Sequence, residues 1–160
     1  MPDRSVYIRQ LRLIWGAVLF TMISLALFAL MIFYGQPDLI TPLEDYRVVD
    51  QVIMTAVLLM AIAVFLIKRN LFVAEKIVNT LKTKTEDRKK IRTACMMTGR
   101  KYQLIIWVLS EAIGLLAFIL FVLSGNLELF GIYMLVGIYV LAVNFPTGRF
   151  LDRCETLLDT

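Results

Sequence analysis

Four stretches of mostly apolar residues, at 13–34, 48–67, 103–124 and 127–145, dominate the chain. Each comes close to the roughly 20 residues that an α-helix needs to cross a hydrocarbon core about 30 Å thick. Backbone polar groups in hydrocarbon must be satisfied within the protein, so runs of this length are expected as helices. The first run is longer than the apolar region of about 7–15 residues in a secretory signal and lacks a small-x-small cleavage site, so it reads as a retained helix. Composition agrees: 59% of the 160 residues are apolar, 19% are charged, and mean hydropathy is +0.76. An ordinary soluble enzyme is excluded, since a globular domain carries about 45–50% apolar and about 25% charged residues. The expected fold is an all-α membrane protein, one domain over 1–160, with four transmembrane helices arranged as two hairpins. Aromatic and basic residues mark the ends of the runs, among them Arg9, Arg12, Trp15, Tyr34, Tyr46, Trp107 and Phe150.

Lys and Arg in the connections set the expected orientation. Arg4, Arg9 and Arg12 precede the first run, whereas the first loop has Arg47 against Asp38, Glu44 and Asp45. Eleven basic and three acidic residues fall between Lys68 and Lys101, and the last two runs are joined by a four-residue turn around Gly125 and Asn126. The positive-inside rule then puts both termini and the middle segment in the cytoplasm. The +4 net charge follows from topology, and basic residues beside a membrane also bind anionic lipid, so no nucleic-acid partner is expected.

The middle segment, 68–102, reads as a helical hairpin. No Gly or Pro interrupts Lys68 to Lys82, and Leu71, Ala74, Val78 and Leu81 recur at helical spacing, so the second span is expected to continue into water as one long helix. A break is expected from Thr83 to Asp87, with Thr85 as N-cap and acidic Glu86 and Asp87 behind it. The returning helix would carry Ile91, Ala94, Cys95, Thr98 and Tyr102 on one stripe. Each arm would project about 22 Å. The arm displays Lys68, Arg69, Lys82, Lys84, Arg88, Lys89, Lys90 and Arg92 to a protein partner or to lipid. Beyond Pro146, Leu151, Cys154, Leu157 and Leu158 share one side of a short amphipathic helix, fit to lie on the membrane or against the arm.

Glu111 is the candidate functional carboxyl. Eight residues inside the third span, it lies about 12 Å below the boundary. An ionised carboxylate there costs at least about 2.5–3.5 kcal/mol, so Glu111 is expected to be neutral, paired or wetted within a bundle. Two roles are open: an ion carboxyl, or a neutral group whose hydrogen bond locks helix packing. Ser110 and Gly114 form a small-xxx-small seam beside it, and Thr21 and Tyr139, at matching depth, are its expected partners. Ser24, Thr55 and Asn144 are further polar groups in the spans, expected to bond their own helix backbone. Arg47, Asp50 and Gln51 at the outer end of the second span serve as interfacial anchors or as a way into the interior. Cys95 and Cys154, with no CxxC spacing and no histidine in the chain, supply no metal site; no catalytic set and no cofactor are expected.

The stretch from Arg9 to Trp15 aligns with Lys101 to Trp107, bringing Ile14 onto Ile106 and Trp15 onto Trp107. It reads as a duplicated hairpin or as the common look of basic-aromatic helix starts.

Two resemblances follow. The segment from Trp107 to Phe121, through Ser110, Glu111, Ala112 and Gly114, resembles the carboxylate helix of rotary ATPase proteolipid (c or K) subunits. That likeness implies ion transport on Glu111; the glutamate here sits on the first helix of its hairpin, where that family has it on the second, and the family's glycine-rich helix is missing. The whole chain, with its basic middle, Ser110-Glu111-Ala112 and Phe145-Pro146-Thr147, resembles small uncharacterised bacterial four-transmembrane-helix proteins. This second resemblance implies a bacterial inner-membrane location. Together these features point to a non-enzymatic membrane subunit or accessory protein acting through helix packing and its basic arm, partnered by lipids, by further copies of itself or by other subunits. The alternative is an oligomeric proton- or sodium-handling subunit that uses Glu111.

Overall fold

The computed structural model describes residues 4–36, 40, 46–83, 85 and 87–159. Six α-helices run in the order α1 (Arg4–Gly35), α2 (Arg47–Leu66), α3 (Ala74–Lys82), α4 (Arg88–Ser124), α5 (Leu127–Val143) and α6 (Arg149–Asp159); a π-helical turn, Ile67–Leu71, extends α2. No strand occurs among the described residues. Three helices, α1, α2 with its π turn, and α4, are long and apolar enough to cross a membrane, and α5 is a shorter apolar helix of 17 residues. Large apolar side chains such as Phe20, Leu27, Val52, Leu59 and Leu135 face outward on these helices. That is the outer surface a bundle immersed in lipid needs, since helices apolar all round are either deeply buried or in a membrane.

α4 is the central column. α1, α2 and α5 all pack on it, and α1 also touches α5, whereas α1 and α2 make little contact with each other. The expected arrangement as two hairpins therefore needs correction. Only α4 and α5 form a tight hairpin: Gly125, at φ 67°, ends α4 in the left-handed conformation, and the Asn126 side chain accepts from the N–H groups of Glu128 and Leu129 to start α5. α1 instead presents Leu11, Met22, Ala29 and Ile32, and α2 presents Ile53, Val57 and Val64, as separate buried stripes. Both stripes meet α4 because it carries the small residues, Ser110, Gly114 and Ala117, that let neighbours approach.

The closest approach lies at mid-bundle. The Ser110 hydroxyl donates to the Gly137 carbonyl at 2.6 Å, with Ser110 fully buried. A Cβ on Gly137 would stand 3.1 Å from the Ser110 carbonyl oxygen and 2.7 Å from the Met22 terminal methyl. Met22 of α1, itself fully buried, also reaches the notch left by Gly114. Three helices thus meet where two glycines and a serine remove side-chain bulk. Farther along, the Tyr133 hydroxyl donates to Asp50 at 2.9 Å, joining α5 to the start of α2.

The second correction concerns the arm. α2 does not run on into α3; it widens into the π turn, where the Phe72 N–H bonds the Ile67 carbonyl at 2.9 Å, and Val73 is extended. Absence of Gly and Pro does not protect a helix against a competing tertiary contact, and here the break lets the Phe72 ring stack on Phe150 of α6 at 4.4 Å. α3 is consequently only 9 residues long, about 14 Å, shorter than the expected arm. The N-cap of α4 is Asp87 rather than Thr85: its carboxylate accepts from the Lys89 and Lys90 N–H groups, while the Thr85 hydroxyl accepts from the Asp87 N–H. A carboxylate is favoured there because it also faces the positive end of the helix dipole. Lys84, Glu86 and the loop acids Asp38, Glu44 and Asp45 lie outside the described residues. α4 itself is continuous from the arm through the apolar stretch, as expected.

The two glycines of α5 separate packing from helix propensity. Gly131 has open space where a Cβ would go, whereas Gly137 does not. Gly131→Ala should leave the thermal midpoint in detergent unchanged or slightly raised, and Gly137→Ala should lower it, by about 1–3 kcal/mol of overpacking. Circular dichroism melts of the two purified variants read the difference.

Candidate functional site

A second, smaller core forms at one end of the bundle. Ala74 and Val78 of α3, Ile91 and Cys95 of α4, and Cys154 and Leu158 of α6 are all buried together. Of the stripe expected on the arm, Ala74, Val78, Ile91 and Cys95 are buried and Leu81, Ala94, Thr98 and Tyr102 half-buried, while Leu71 is exposed on the π turn. α6 takes the second of its two expected places, against the arm, with Leu151, Cys154 and Leu158 buried and Leu157 packed beside them. Phe150 lies between Phe72 and Gly99 of α4, where a Cβ would be 2.8 Å from the Phe150 ring. Gly99 is a glycine because the ring occupies that space.

Polar contacts fasten the same end. Arg92 pairs with Glu155 at 2.7 Å, Lys82 donates to the Leu157 carbonyl at 2.8 Å, and the Tyr7 hydroxyl donates to the Met96 carbonyl at 2.9 Å. Arg4 of α1 bonds Asp152 of α6. Exposed ion pairs of this kind contribute about 1 kcal/mol or less, so the apolar contacts carry the assembly and the charges select its register. Two of the arm's expected display residues, Lys82 and Arg92, are thus engaged within the protein, and Lys68, Arg69, Lys89 and Lys90 are exposed. Arg88 is exposed as well, at the start of α4.

The two cysteines, far apart in sequence, face each other here. Cys95 and Cys154 are nearly inaccessible, and both are free thiols. The hydrogen bond with Cys95, reinforced by burial, pushes the Cys154 thiol well above the ordinary thiol range. The pair is inert packing so long as α6 stays docked.

Glu111 is half-buried on α4, and no hydrogen bond or ion pair joins its carboxylate to another described residue. Met22 meets Gly114 and the Phe28 ring lies near Phe118, a register that brings Thr21 level with Glu111. The expected bond is not made, because the exposed Thr21 hydroxyl donates to Ala17 at 3.0 Å on its own helix, the common fate of a threonine in a helix. Tyr139 is corrected outright: it is 69% exposed, two residues and hence about 200° around α5 from the α4-facing Gly137. Ser110 and Gly114 do form a packing seam, and the partner that sequence reasoning missed is Gly137; a glycine in the middle of an apolar helix was the available signal. Thr55 bonds its own helix at Gln51, and Asn144 at Val140.

Asn144 has a larger role than expected. Its carbonyl accepts from the Trp107 indole at 3.2 Å and from Gln103 at 3.0 Å, and the Leu141 carbonyl accepts from the Trp15 indole at 3.0 Å. Carbonyls at the last turn of a helix have no intrahelical partner, and here three side chains from α1 and α4 supply it. The two tryptophans that align in sequence therefore serve one helix end rather than equivalent ends of two hairpins. No protein family, characterised protein or solved structure matches the chain. Among the described residues, no three His, Cys, Asp or Glu side chains gather as a metal site would require.

Phe150→Ala should release α6. Removing the ring costs roughly 2–3 kcal/mol at this half-buried position, which raises the population of undocked α6 by on the order of 30–100-fold. Maleimide labelling of Cys154 should accelerate by that factor, while far-ultraviolet circular dichroism stays within a few per cent of wild type.

Proposed function

We propose that the protein is a non-enzymatic integral membrane subunit or accessory protein, which works by packing in the bilayer and offering its basic end to a partner. The observation that carries this reading is the small core of α3, α4 and α6 standing on the end of α4. A folded platform is built there, and Lys68, Arg69, Lys89 and Lys90 are exposed around it. In this reading α5 is a fourth span. At 17 residues it is at the lower limit for crossing a bilayer, and its ends carry polar caps, Asn126 and Asn144, that suit an interface. The starts of α1 and α4 and the ends of α2 and α5 gather at one end of the bundle, where Arg4, Arg9, Arg12, Lys68, Arg69, Arg100 and Lys101 concentrate positive charge. The positive-inside rule favours a cytoplasmic location for that end and both termini, in a bacterial inner membrane. The resemblance to small bacterial four-transmembrane-helix proteins supports the same placement. Affinity purification in mild detergent, with the native mass of the particle, tests the reading: stoichiometric co-purifying subunits are expected, and a particle holding this chain alone counts against it.

Glu111 sustains a second reading, an oligomeric proton- or sodium-handling subunit. Its half-buried carboxylate has no partner among the described residues, and Val108 and Leu115 on the same side of α4 are exposed, so a neighbouring copy could cover it. Glu111→Gln separates the two. Assembly should survive the substitution in either case; ion flux into liposomes should fall at least tenfold only if the carboxyl carries the ion.

A further inference from the structure

A groove of about 440 Å³ opens between the π turn after α2, the end of α5 and the first turns of α6. That volume falls within the range of ligand sites, about 300–1,000 Å³. Lys68, Arg149 and Arg153 line it against a single carboxylate, Glu75. The three cations are exposed, and none of their side chains makes a hydrogen bond or ion pair with another described residue. Arg4, Lys82 and Arg92 at the same end are, by contrast, all engaged. Arg149 also opens α6, so the positive end of that helix adds to the same field.

The groove is also partly apolar. Val143, the last residue of α5, and Phe145, just beyond its Asn144 cap, form part of the groove wall and are 52% and 40% exposed. Cationic side chains and exposed apolar ones thus line the same groove. A free anion would use only the cations; a phospholipid uses both kinds of side chain, its phosphate against the cations and its acyl chains past Val143 and Phe145.

We propose that this groove binds the phosphate-bearing headgroup of an anionic phospholipid, held by Lys68, Arg149 and Arg153, with the acyl chains passing Val143 and Phe145. The proposal rests on the reading that α2 and α5 cross a membrane. The lipid would tie the π turn to α6, two elements that otherwise meet through the Phe72–Phe150 stack.

Native mass spectrometry of the full chain, released from nanodiscs of equal phosphatidylglycerol and phosphatidylcholine, tests the site. One phosphatidylglycerol per protomer should be retained in preference to phosphatidylcholine. Lys68→Gln, Arg149→Gln and Arg153→Gln together should weaken retention on the order of a hundredfold, and Arg149→Gln or Arg153→Gln alone about fivefold. Removing the same charge elsewhere at this end, by Lys76→Gln, Arg100→Gln and Lys101→Gln, should change it less than about twofold. Protection of Cys95 and Cys154 from maleimide confirms that each variant is folded, and the single variants keep the test decisive if the triple one is not. Equal retention of both lipids, equal losses in the two triple variants, or complete displacement by millimolar inorganic phosphate would each overturn the proposal. Release of the protein from membranes by alkaline carbonate would instead overturn the membrane reading beneath it.

Discussion

The bundle depends on the contact between Ser110 and Gly137. Where apolar helices stand in lipid, the tails are as apolar as the side chains, and nothing like the hydrophobic effect in water presses such helices together. What remains is close packing and a few hydrogen bonds. A serine with no exposed surface, donating at 2.6 Å to a carbonyl on the facing helix, supplies both at once. Such a bond contributes about 0.6–1.7 kcal/mol in membranes, and the closeness it permits lets Met22 of α1 fill the space beside it. Widening that contact would unseat α1 as well as α5.

From this point α4 acts as the ruler for the rest of the molecule. One end is closed by the Gly125–Asn126 turn, and the other rises into the small core where α3 and α6 dock. The two cores differ in what holds them. In the apolar part, mass and shape decide; at the basic end, a conventional water-excluded cluster is assembled from the amphipathic helices α3 and α6, with stacking of Phe72 on Phe150 and the Arg92–Glu155 pair setting the register. The π turn joins these regimes, and the aromatic stack of Phe72 on Phe150 accompanies it where the sequence holds no Gly or Pro.

Much of the fold was legible in the sequence because periodicity and apolar length report directly on helices. The stretches of α1, α2, α4 and α5 and the buried stripe of Ala74, Val78, Ile91 and Cys95 follow from local pattern. What could not be read was set by contacts between distant residues. Phe72 breaks α2 for the sake of Phe150, 78 positions away. Tyr139 and Thr21 have a suitable depth for meeting Glu111, yet depth leaves rotation about the helix axis undetermined; one faces outward and the other bonds its own backbone. The packing seam was half legible, since Ser110 and Gly114 share a local spacing while Gly137 lies on another helix. The groove of Lys68, Arg149 and Arg153 was invisible for the same reason, being assembled from elements that only the fold brings together.

Chain order gives the small core a timetable. α3 ends at Lys82 and α6 begins at Arg149, so 66 residues, all of α4 and α5 among them, must be made before α6 can dock on α3. At synthesis rates of about 5–20 residues per second, Ala74 and Val78 wait roughly 3–13 s for α6. During that interval the apolar face of the short amphipathic α3 lacks the side chains of α6 that later cover it. The basic end is therefore the last part of the molecule that can be completed, after α4 and α5 have both been synthesised.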